Sequence, residues 1–119
     1  MTLDHLDQMT AYALEDLAAG NRDRLRTLVR RMSERWHNTP ALMVSLALTS
    51  AAHELESQFR GPGIQDAAYL AYKFAALVAG DVLALETLGG RGVLARDLLL
   101  YWRRTDPYFL RDAEREAIG

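Results

Sequence analysis

All three prolines and all but two of the eight glycines fall between runs of Ala, Leu, Arg and Glu, so the chain reads as helices cut by punctuation. Proline removes a backbone donor, and glycine carries an entropic cost inside a regular element, so confining both to breaks leaves the intervening segments free to be helical. The breaks are Gly20-Asn21, Asn38-Thr39-Pro40, Gly61-Pro62-Gly63, Gly89-Gly90-Arg91-Gly92 and Thr105-Asp106-Pro107. Ala and Leu together number 38 and Val and Ile only seven, which starves a sheet of its usual residues. The expected fold is all-α: a single-domain antiparallel helical bundle of five to six short helices over residues 1–119, up-and-down at least for the first four.

A chain of 119 residues can bury a core without disulfides or metal, and the absence of cysteine excludes a disulfide framework, thiolate metal sites and a Cys nucleophile. Asp4 and Asp7 stand where a secretory signal would be basic, so a cytoplasmic location is expected. The longest charge-free apolar run, residues 39–52, is 14 residues against the ~20 that a membrane span needs, so no span is expected. A net charge of −2 removes the global attraction that non-specific nucleic-acid binding requires, although 13 Arg against one Lys leave a local patch open. That ratio also fits the codon bias of a GC-rich genome.

The first helix, residues 2–19 with Thr2 as cap, carries Asp4, Asp7, Glu15 and Asp16 and a charge of −4. After Asn21 as cap, the second runs to Trp36 with Leu25, Leu28, Val29, Met32 and Trp36 as its apolar stripe; six arginines against Asp23 and Glu34 give it +4. A two-residue connector sets the two antiparallel, acidic against basic. A third helix opens at Thr39-Pro40 and is apolar on every side to Ala52, which predicts a buried central helix. A fourth covers residues 64–79. Continued through Gly80 it would carry Asp81 into an apolar stripe, so a break with Asp81 capping a short helix to Leu88 is the expectation. A fifth covers residues 93–104, followed by a short terminal helix after Pro107.

The fifth helix is apolar beyond what one neighbour covers, and Leu99, Leu100, Tyr101 and Trp102 with Tyr108 and Phe109 form the expected interface for self-association or an unknown protein partner. The same residues would also suit a packed terminal hairpin. His5, His37 and His53 fall on three helices, but with His53 ~20 Å up the bundle axis from the other two, and without a Glu-x-x-His pair, no metal or other cofactor is expected. Gly89-Gly90-Arg91-Gly92 precedes a helix as an anion nest would, yet lacks the Lys-Ser/Thr of a phosphate loop. Tyr69 and Lys73 have the spacing of a catalytic Tyr-Lys pair without the strands such a pair needs.

One local signal remains. Ala52-His53-Glu54-Leu55 resembles the phosphoacceptor segment of histidine-kinase dimerisation helices and histidine phosphotransfer domains, with Glu56 and Gln58 where such segments carry a basic residue and a proline. The resemblance implies a wet His53 as phosphoacceptor, its tautomer held by Glu54 or Glu56. Two function classes follow: a non-enzymatic, homodimeric helical interaction module, and a phosphotransfer protein centred on His53. Nucleic-acid binding through the arginine-rich second helix is the weaker third.

Overall fold

The computed structural model describes residues 3–89 and 92–110. In chain order they form α1 (Leu3–Ala19), α2 (Arg22–Arg26), α3 (Leu28–Arg35), α4 (Leu42–Gln58), α5 (Ile64–Gly89), α6 (Ala95–Arg104) and a 3-10 turn, Tyr108–Leu110. No strand occurs among the described residues, and the fold is an all-α helical bundle. Thr2 and the Gly90-Arg91 pair of the expected nest lie outside those residues.

The molecule measures 43 × 39 × 20 Å, two helices thick. Its centre is α4, whose Val44, Leu48 and Ala51 are fully buried as the uncharged run predicts. Alanines at 47, 51 and 52 let α1 and α5 approach it from either side. Gly61 and Gly63 take positive φ (130° and 85°) to reverse the chain between α4 and α5, and Ser45 Oγ donates to the Ala75 carbonyl at 2.7 Å across the resulting hairpin. The other wall is built from Met32, Leu98 and Trp102, closed by Phe109, whose ring lies 4.9 Å from that of Trp102 and 5.6 Å from that of Phe74.

Four boundaries differ from the sequence pattern; the simplest is the start of α6 at Ala95 rather than Val93, because Leu94 lies in a backbone bridge with Pro40 and serves as the N-cap, and three others each have a visible reason. The second helix is not continuous to Trp36 but breaks at Thr27. In an unbroken helix the Arg24 carbonyl would accept from the Leu28 amide; here it accepts from the Thr27 amide (3.2 Å), Thr27 Oγ1 (3.0 Å) and Arg31 Nη2 (2.7 Å) instead. The third helix starts at Leu42 rather than Pro40. The backbone of Thr39 and Ala41 is paired with Ala95 and Val93 (2.8 Å each), a short bridge that satisfies α6's first amides at the expense of α4's first turn.

The third correction concerns Gly80 and Asp81. No break occurs: α5 runs 26 residues, about 39 Å, so it is not a short helix. Asp81 is not buried alone in the continuous helix: α6 supplies a partner, Trp102 Nε1, which donates to Asp81 Oδ2 at 2.8 Å.

Candidate interaction surface

The acidic and basic helices meet at one residue. Asp16, buried at the end of α1, accepts from Arg24 Nε (2.9 Å) on α2 and Arg31 Nη2 (2.5 Å) on α3, so one carboxylate holds both sides of the Thr27 break. Arg31 also donates to the Tyr12 hydroxyl at 2.8 Å, and Arg35 lies over the Tyr12 and Trp36 rings at 5.4 and 5.0 Å. Arg30 comes only within 4.0 Å of Glu34, and its buried Nε has no hydrogen-bond partner among the described residues. Most of the arginine face is thus occupied by the chain's own groups. Arg22 and Arg26 are the exceptions: both are exposed, and neither touches a partner among the described residues.

The six residues expected at an interface divide. Trp102 and Phe109 are not interface but core, because the terminal turn folds back on α6 and seats Phe109 between Trp102 and Phe74. Leu99, Tyr101 and Tyr108 are half-buried against the same cluster, and only Leu100 is exposed. The width of the apolar face on α6 is accounted for by the chain itself.

His53 is exposed, as its position on α4 predicts, but neither expected neighbour addresses its ring. The Glu56 carboxylate accepts instead from the Tyr72 hydroxyl at 2.6 Å, a bond that holds the Tyr72 proton above its ordinary pKa. Thr49 Oγ1 donates to the Ser45 carbonyl, and Glu54 makes no bond to a described residue. The bare imidazole has the exposure of a phosphoacceptor without the carboxylate that would hold its tautomer.

An unpartnered apolar surface lies elsewhere, on the outer face of the α4–α5 hairpin. Leu42 (56% exposed) and Leu46 (46%) recur one turn apart on α4, on the same side as His53 and Glu56. The Tyr72–Glu56 bond fixes which side of α5 adjoins them, and helical spacing from Tyr72 continues through Ala76 and Gly80 to Leu83, 65% exposed. Leu42 and Leu46 contradict the expectation that a helix apolar all round is buried all round: α4 has neighbours on two sides, and its outward side has none among the described residues. The signal was present in the sequence as apolar residues on every side of both hairpin helices, with Lys73 as the one charge on α5 between Asp66 and Asp81.

α5 is also long and apolar enough, by length and composition, to cross a membrane; an 18-residue stretch has a mean hydropathy of 1.5 and is 33% buried. The longest charge-free run in the sequence missed it because isolated charges punctuate the helix. No protein family, curated protein or solved structure matches the chain.

Proposed function

We propose that this chain is a non-enzymatic helical interaction module that pairs with a second copy of itself through the outer face of α4 and α5. The observation that carries it is the set Leu42, Leu46, Tyr72, Ala76, Gly80 and Leu83, spread over two adjacent helices, with Glu56, bonded to the Tyr72 hydroxyl, as the acid at its edge. A second copy fits better than a bilayer. The buried side of α5 carries Ala71, Ala75 and Val78 and packs on α4, and Asp81 is tied to Trp102, so only the outer side of the helix is left to a partner, as in a two-fold interface made from one patch on each copy. Two helices about 10 Å wide sharing about 25 Å of length offer on the order of 500 Å² per copy, the small end of specific interfaces, so the dimer is weak.

Sedimentation equilibrium tests this directly. The expected result is a monomer–dimer equilibrium with a dissociation constant on the order of 10–100 μM, weakened at least tenfold by Leu83→Arg. A wild-type monomer at high micromolar concentration, or binding to vesicles in place of self-association, would overturn it.

The exposure of His53 supports a second reading, phosphotransfer. On that reading acetyl phosphate labels the wild type but not His53→Gln; an unlabelled wild type leaves the interaction module alone.

A further inference from the structure

The end of α1 is capped by small residues, Ala18-Ala19-Gly20, with Gly20 at φ 71° turning the chain into a helix of only five residues. Opposite, the Gly61-Pro62-Gly63 turn launches α5 with Ala67 as its first buried side chain. Small side chains on both walls leave a cleft of about 670 Å³ between α1, α2 and the first three turns of α5, within the size range of small-molecule sites.

Its floor is apolar: Leu17, Leu25 and Phe74 are buried, and Leu70 is half-buried. Its rim carries Arg22 and Arg26 on one wall and Asp66 on the other. The two arginines lie one turn apart on α2 and are the pair left unused by the Asp16 cluster, which takes Arg24 and Arg31 from the other side of the same segment. Two guanidinium forks beside an apolar floor, opposed by one carboxylate, favour an anionic head with an apolar tail.

We propose that this cleft binds a monoanionic amphiphile of fatty-acid type, its chain over Leu17, Leu25, Leu70 and Phe74 and its head between Arg22 and Arg26. The site is separate from the α4–α5 face, so its occupancy is tested without reference to dimerisation.

Isothermal titration of the full chain with decanoate, decyl sulfate, decanol and decyltrimethylammonium, all below their aggregation concentrations, decides it. Expected are one decanoate or decyl sulfate per chain, decanol at least tenfold weaker, and no binding of the cation. Arg22→Ser/Arg26→Ser should reduce the anions to the decanol level while the circular-dichroism melting temperature stays unchanged, since both side chains are exposed and unpaired. Ala18→Trp, an exposed position on the wall, should block all three ligands that carry no positive charge. Equal affinity for decanol and decanoate, or indifference to the arginine substitutions, would overturn the proposal. So would arginine-dependent binding to phosphatidylglycerol vesicles with none to soluble decanoate, which would assign the arginines to a bilayer surface.

Discussion

The inner and outer faces of the α4–α5 hairpin invert the usual order of a soluble bundle. The buried side chains of the two helices are mainly small, among them Ser45, Ala52, Ala71 and Ala75, with Leu48 and Val78; outside lie Leu42, Leu46, Tyr72 and Leu83. Alanines bring two helices into close contact but bury little apolar area each, whereas each exposed leucine leaves about 1–2 kcal/mol of transfer free energy unrealised. A hairpin joined through its small residues and fringed by its large ones supports the proposed pairing, in which it forms one layer of a thicker assembly. Counting apolar residues along such helices locates the layer and not the core.

The largest expected effect tests that inversion. Leu48→Ala on the inner face should lower unfolding free energy by about 2–5 kcal/mol, because a fully buried leucine leaves a cavity, while Leu46→Ala, two residues away and facing out, should change it by no more than about 0.5 kcal/mol at concentrations where the protein is monomeric. Urea melts at low micromolar concentration compare the two. If they cost the same, the outer face is core and the comparison collapses. Raising the protein concentration should then separate them in the other direction, with the Leu46 variant alone losing dimer.

A smaller effect is expected where the bundle is held by charge. Asp16→Ala removes the acceptor common to α2 and α3 and leaves the half-buried Arg31 without its carboxylate, for a loss of about 2 kcal/mol; the figure sits below that of a fully buried pair because the partners keep contact with water. Denaturant melts should show the loss with an unchanged dimer constant, since Asp16 lies on α1, away from the outer face. A loss under about 0.5 kcal/mol would mean the cluster is a surface network with no structural weight.

Much of this fold is legible from residue order. The uncharged run of residues 39–52 marks the central helix, Asn21 caps α2 through the Arg24 amide as its side chain predicts, and the glycines at 20, 61 and 63 sit where φ turns positive. Illegible features depend on partners remote in sequence. Asp81 is acceptable inside a helix only because Trp102 arrives 21 residues later, and Thr27 becomes a break through Arg31 and the Arg24 carbonyl rather than through any helix-breaking residue. The burial of Trp102 and Phe109 is illegible for a related reason. Leu99 to Trp102 and Leu42 to Leu46 are equally apolar in sequence, and what separates them is that Phe109 folds back onto one and nothing described covers the other.

The smallest predicted effect concerns Asp81, where the inner side of α5 passes from α4 to α6. Burial raises its carboxyl above the ordinary value, the Trp102 N–H pulls it part of the way back, and Asp106 pushes it up again. In the unfolded chain the group titrates at about pH 4, so between there and its raised folded value the native state holds a proton that the unfolded state has lost. Stability from this group therefore falls as pH rises through that window, and the cost of the buried charge is fully present above it. Asp81→Asn keeps an oxygen for Trp102 and removes the charge. The variant should be more stable than wild type at neutral pH by on the order of 0.5 kcal/mol, a figure reduced because the group is partly solvated, and the advantage should vanish towards pH 4. Paired urea melts from pH 4 to 8 measure the difference directly; a variant less stable than wild type at pH 7 would mean that the charge on Asp81 strengthens the Trp102 bond by more than its burial costs.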